Sequence, residues 1–135
     1  MANPWVHSES SAKKWGGKPE DYYAIHETMD STKQVVADNR HRLIFHTTYG
    51  ACKLIPMIFG PTITNSDGNK VSTKDIAERH ILEDFGHKFI PTLQDYVENM
   101  TLEHWMNNGR VGTPPSYRRI EETQKEVKIT TINSD

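Results

Sequence analysis

Apolar positions along this chain fall into short helical runs separated by strong punctuation. Pro19 followed by Glu20 and Asp21 suits a first helical turn, where proline forfeits no needed donor and acidic groups meet the positive end of the helix dipole. The spacing predicts a helix from Pro19 to Met29. Asp30, Ser31 and Thr32 then read as a cap or kink, ahead of a long helical stretch reaching Phe59. Within it Val35, Val36, Leu43, Ile44, Cys52, Leu54 and Ile55 recur at helical spacing, and Pro56 should kink or stop the last turn.

After Gly60-Pro61 the pattern changes. Thr62-Ile63-Thr64 and Lys70-Val71-Ser72 flank Asn65-Ser66-Asp67-Gly68-Asn69, a turn-rich run between β-branched residues, so a hairpin is predicted over 62–72. The loop lacks the glycine and distal glutamate of an EF-hand at their required spacing and is assigned no calcium. Ser72 with Asp75 resembles a capping box, opening a helix from Lys74 to Phe85 that Gly86 ends. Pro91-Thr92 opens another, Leu93 to Met100, and Thr101 caps a last turn holding Leu102, Trp105 and Met106.

The fold class that follows is mainly α: a small helical bundle with one inserted β-hairpin and flexible arms at both ends. Residues 1–18 form the N-terminal arm, 19–109 the core domain, and 110–135 an extended or disordered tail in which Val127 to Ile132 alternates without a partner. Trp5 and Trp15 give the N-terminal arm a means of docking onto the core.

Composition adds limits. The chain has 135 residues, 35 % of them hydrophobic and 25 % charged, so the core should be small and any help from a metal or a partner would matter. A net charge of -2 with no block of like charges argues against general binding to nucleic acid or membrane surfaces. No segment approaches the roughly 18 apolar residues of a membrane span, and the first twenty residues do not resemble a signal peptide. A cytoplasmic protein is expected. The single cysteine, Cys52, excludes an intramolecular disulfide and reads as buried core.

The residues that could carry chemistry lie in three stretches. His26 and Asp30 are four apart, Asp38, Arg42 and His46 form a stripe with His41 beside it, and Glu78, His80, Glu83 and Asp84 place His80 and Asp84 on one face. Imidazole nitrogens and carboxylate oxygens from packed helices are what a divalent Zn, Mn or Fe ion requires. The competing reading makes Asp38–Arg42 and His80–Asp84 ordinary helix-surface pairs. His7, His87 and His104 lie outside the dense stretches and are expected at the surface, and Arg118-Arg119 beside Tyr117 is expected to be solvated. No H-E-x-x-H, P-loop, dinucleotide fingerprint, nucleophile elbow or C-x-x-C is present.

Several segments carry a resemblance. Trp15-Gly16-Gly17 before Asp21-Tyr22, then His26 and Asp30, Asp38-Asn39-Arg40-His41-Arg42 with His46 and Gly50, Phe59-Gly60 before Thr64-Asn65-Ser66-Asp67-Gly68, Glu78-Arg79-His80 with Glu83-Asp84, and Ile90-Pro91-Thr92 resemble a family of short bacterial and phage proteins of unknown function. The likeness covers Trp15 to Met106, with Thr47 standing where relatives often have a second histidine. It implies that the histidines and acids belong to shared motifs, and it implies no activity.

Two function classes result. In one, His26, His46, His80 and Asp84 bind a divalent metal, with Asp30, His41 and Glu78 supporting them. Arg42 then grips a phosphate while Asp38 or Glu83 orients a ligand or takes a proton, giving hydrolysis of a nucleotide or other small phosphorylated molecule. That chemistry resembles the HD-type phosphohydrolases, although the His-Asp dipeptide is missing. In the other, the chain is a non-catalytic, phage-encoded binding module acting on a host protein.

Overall fold

The computed structural model describes residues 3–115, and these fall in two compact units, one running to Asn99 and one beginning at Met100. The first unit holds α1 (Pro4–Trp15), α2 (Glu20–Asp30), α3 (Arg42–Phe45), α4 (Ile55–Phe59), strands β1 (Thr62–Thr64) and β2 (Lys70–Ser72), α5 (Thr73–Asp84) and α6 (Leu93–Val97). The second holds α7 (Trp105–Asn108), which closes on Gly109 in the left-handed conformation at φ 73°. The mainly α class with one hairpin is thus the observed one. The C-terminal tail from Tyr117 onward, with Arg118, Arg119 and the alternating run at Val127, lies outside the described residues.

The segment expected as a loose N-terminal arm carries α1. Asn3 accepts a hydrogen bond from the Val6 amide at 2.9 Å, and Pro4 occupies the first turn, so Asn3-Pro4, a pair that also suits a turn, here starts a helix. α1 packs along α2, and both pack on α5. The apolar core is made by Tyr22, Ile25 and Met29 of α2, Ala51, Ile55 of α4, Val71 of β2, and Ile76, Ala77 and Ile81 of α5.

The single long helix expected up to Phe59 is broken instead. The chain leaves α2 through a 3-10 turn at Ser31–Gln34 and re-enters at Asn39–His41, where the Asp38 carboxylate accepts from the Arg40 amide at 2.9 Å and caps a new turn. Val35 is 86 % exposed as a result. At His46 the backbone turns out of helix (φ -90°, ψ 49°).

Helix resumes as a π-helical turn at Gly50–Leu54, in which the Ile55 amide reaches back five residues to the Gly50 carbonyl. Widening the turn just ahead of Pro56 accommodates the proline without a break. It also shifts the side-chain phase. Ala51 and Ile55 face the core, while Cys52, expected to be buried, is exposed. α6 ends at Val97, earlier than expected, although Thr92 and Asp95 do form the reciprocal cap that opens it. In the second unit α7 begins at Trp105, with no side-chain cap from Thr101.

The hairpin pairs antiparallel with Ile63 opposite Val71. Its loop is a clamp. Asn65, 4 % exposed, accepts from the amides of Asp67 and Asn69 at 3.0 Å each and donates to the Trp15 carbonyl at 3.1 Å. Gly17 donates its amide to Asp67 at 2.8 Å, and Asp21 accepts from the amides of Lys18 and Ser66, also at 2.8 Å. Tyr22 donates its hydroxyl to the Gly16 carbonyl at 2.7 Å. At Gly17 (φ 74°) an added Cβ would stand 2.4 Å from the Asp21 carboxylate and 2.8 Å from the Asn65 Cβ, so only glycine fits. The Trp-Gly-Gly and Asn-Ser-Asp-Gly motifs are therefore two halves of one joint, which holds α1 against α2.

Candidate metal centre

Buried polar and charged residues outnumber buried hydrophobic ones among the described residues, and most of these polar residues sit in one layer between α1, α2, α5 and the turn after α3. Polar groups removed from water are tolerated only when paired, so this layer has to satisfy itself. α2 delivers Asp30 from its last turn. The break after α3 turns His46 inward, and α5 delivers His80 and Asp84 one turn apart. His46 and His80 are fully buried and the two carboxylates nearly so, at 7 % and 2 % side-chain exposure.

One donor atom from each of these four residues points at a common centre, all within 4.8 Å of one another. The Nε2 atoms of His46 and His80 are 3.1 Å apart. Asp84 Oδ2 lies 3.0 Å from the first and 3.3 Å from the second, and Asp30 Oδ1 lies 3.4 Å and 3.2 Å from them. A tetrahedral ion with bonds of about 2.0–2.2 Å separates its donors by about 3.3–3.6 Å. Five of the six separations are thus those of a tetrahedral cage, short by a few tenths of an ångström. The donor set also fits in charge, since two carboxylates and two neutral imidazoles leave two negative charges for a divalent ion to neutralise.

A second ring of side chains surrounds the four. His26 lies behind His80, with their Nδ1 atoms 2.8 Å apart, and its Nε2 is 2.8 Å from the Ser11 hydroxyl. Burial first, and then the neighbouring His80 and His7, push the His26 pKa down to about 2, so this ring is neutral. His7 stacks on His80 at 3.8 Å between centroids, donates through Nδ1 to Glu83 at 2.9 Å, and sets its Nε2 3.2 Å from Asp84 Oδ1. Burial alone would lower the His7 pKa, but the adjoining carboxylates of Asp84 and Glu83 prevail and raise it to about 9.

The acids respond in the opposite sense. Burial works to raise Asp30 and Asp84, yet hydrogen bonds from His46 and His80, with His7 added at Asp84, hold both well below the usual carboxylate range. Ser10 donates to Glu83, which is held low by His7 and Ser10 against the effect of its own burial.

The sequence-predicted residues distribute as follows. His46, His80 and Asp84, expected as ligands, converge, and Asp30, expected to support them, joins as the fourth. His26, expected as a ligand, stands behind His80. His41 is buried and donates through Nδ1 to the Asp38 carbonyl at 2.9 Å, with its ring edge-on to His46. Asp38 itself is 54 % exposed and ion-paired with Arg40 at 2.7 Å. Arg42 lays its guanidinium over the Phe85 ring at 5.0 Å, Glu78 pairs with Lys74 at 3.1 Å, and Glu83 is engaged with α1.

Sequence reasoning missed His7, Ser10 and Ser11. His7 was expected at the surface and is 1 % exposed, whereas His87 and His104 are exposed as expected. The available sign was that His7, Ser10 and Ser11 fall at three- and four-residue spacing, one face of a helix. Beside the centre, a surface cleft of about 440 Å³ is lined by Pro4, Tyr23, Glu27, Asp30, Lys33 and Gln34.

Residues 2–106 fit a family described as Domain of unknown function (DUF6915). No curated protein and no solved structure matches the chain.

Proposed function

The chain belongs to this family of unknown function, and from that premise we propose that it is a divalent-metal protein, with Asp30, His46, His80 and Asp84 as the ligands and zinc as the ion. The observation that carries the reading is the set of five donor separations between 3.0 and 3.4 Å, made by four buried atoms from three parts of the chain. Zinc has no preference for higher coordination, which suits four donors, whereas Mn would call for added oxygen ligands. A site supplied entirely by the protein ties α2, the turn after α3, and α5 together, and offsets the small apolar core.

A second reading, hydrolysis of a nucleotide or other phosphoester, is favoured by one observation at Asp30. Its Oδ2 is buried without a hydrogen bond, its nearest cation is Lys33 at 4.0 Å, and both residues line the cleft beside the centre. A bound divalent ion would supply Lewis-acid polarisation and a water of lowered pKa once coordination rose to five or one of the four ligands gave way. In this reading Lys33 draws the phosphate into the cleft, and Arg42, expected to grip it, lies over Phe85 and does not line the cleft. Glu83 orients Asp84 through His7, and Asp38, ion-paired at the surface, takes no proton. Without such activity the domain is a metal-stabilised binding module, and contact with a host protein is then its function.

The test is elemental analysis of purified, untagged protein alongside His46→Ala and Asp84→Asn. Near-stoichiometric zinc that both substitutions abolish is the expected result. A folded wild type that carries no metal and is unchanged by added zinc overturns the reading. Assay of the loaded protein against phosphodiester and nucleotide substrates then separates the hydrolase from the binding module.

A further inference from the structure

We propose that His26 and Ser11 are positioning residues that fix which nitrogen of His80 faces the ion; the inference rests on the metal reading above. His26 and Ser11 are fully buried, and neither contributes to the four converging atoms. They form a chain of contacts: His80 Nδ1 to His26 Nδ1 at 2.8 Å, then His26 Nε2 to Ser11 Oγ at 2.8 Å. The two rings lie nearly parallel, 19° apart at 5.0 Å between centroids.

The polarity of this chain follows from proton accounting. A neutral imidazole that offers its Nε2 lone pair to a cation carries its proton on Nδ1. On His80 that proton meets His26 Nδ1, which therefore accepts. His26, itself neutral, then carries its own proton on Nε2 and donates it to Ser11. Each proton points away from the centre, and no other arrangement of one proton per ring leaves His80 Nε2 free for a ligand bond.

The choice of a second imidazole in this place has a physical consequence. Histidine ligands commonly donate their outer N–H to a carboxylate or carbonyl. A carboxylate here would put a third negative charge beside Asp30 and Asp84. A neutral ring accepts the same hydrogen bond without adding charge, and His7, stacked beside it, is already engaged by Glu83 and Asp84. Because Ser11 belongs to α1, the N-terminal helix holds the outer end of a chain whose inner end is a ligand.

Nitrogen-15 NMR of the histidine rings in the zinc-loaded full chain reads the tautomers directly. The expected pattern is His80 protonated on Nδ1 and His26 on Nε2. A His26 ring protonated on Nδ1, or on both nitrogens, overturns the proposal. Zinc affinity by chelator competition supplies an independent readout. His26→Leu, which leaves the His80 proton without an acceptor, should weaken binding about 10- to 100-fold, and His26→Gln, whose carbonyl oxygen can accept, should recover most of it. Equal affinities for wild type and His26→Leu overturn it. If His26→Leu does not fold, Ser11→Ala serves, with weakened zinc binding expected and unchanged affinity overturning. A wild type that binds no zinc overturns both readings, whereas zinc bound with the other tautomers overturns this one alone.

Discussion

His46 Nε2 and His80 Nε2 stand 3.1 Å apart although 34 residues separate them in the chain. Two imidazole nitrogens that close, both turned toward the same two carboxylates, are held by whatever lies between them, a shared proton or a cation. A divalent ion would satisfy all four groups at once and, binding only the folded chain, would add stability by mass action, about 2.7 kcal/mol at a hundredfold excess over Kd. For a domain of this size the expected rise in Tm is on the order of 10 °C, read by thermal melts with added zinc and with chelator. Coincident melts would remove the ion from the account of stability.

His7 bridges Glu83 and Asp84 from the opposite side of the layer. Replacing it with glutamine keeps the size but removes the positive charge, leaving Asp84 without this cation and Glu83 with only Arg79, 3.9 Å away. Breaking a buried pair from one side is expected to cost on the order of 3 kcal/mol, and α1, which carries His7, should loosen with it. Urea unfolding gives the stability change, and hydrogen exchange of the α1 amides gives its location.

The helical periodicities of α2 and α5, the caps at Ser72 and Thr92, and the hairpin were all legible, because each rests on residues within a few positions of one another. All four converging residues were legible as acids and imidazoles that could carry chemistry, but Asp30 was expected as a supporting residue and His26 as the ligand, because four-residue spacing says that the two share a face and not which of them reaches the centre. The break between Val35 and His46 was not legible, because apolar spacing continues across it and only the caps at Asp38 and the turn at His46 reveal it. Ser11 and His7 were hidden for a different reason. Their roles depend on α1 packing over α2 and α5, a long-range fact that no local pattern encodes.

Gly50 sits where the chain comes back from His46. A Cβ there would stand 2.2 Å from the Phe45 carbonyl oxygen, which backbone atoms cannot yield without moving the turn that carries His46. Gly50→Ala is therefore expected to cost about 1–3 kcal/mol through overpacking and to weaken zinc binding as well, although residue 50 touches no ligand atom. Urea unfolding and chelator competition on the same protein test the two effects together. A stable variant with native zinc affinity would mean that the turn has slack the packing does not suggest.

Asp21 is the pH-sensitive member of the joint between the Trp-Gly-Gly linker and the hairpin loop. Amide donors from Lys18 and Ser66, with the Ser66 hydroxyl, hold its carboxyl below the usual range. A depressed folded-state pKa means stabilisation that is present above the unfolded value of about 3.9 and is lost as pH falls through the folded one. Asp21→Asn cannot accept these bonds as an anion, so it should be less stable than wild type at neutral pH, and the gap should close as the solution is acidified below about pH 4. Measuring the difference between the two proteins cancels the acid response of the buried Asp30 and Asp84, which both share. A gap that stays constant down to pH 2 would show that Asp21 acts through shape and not through its charge.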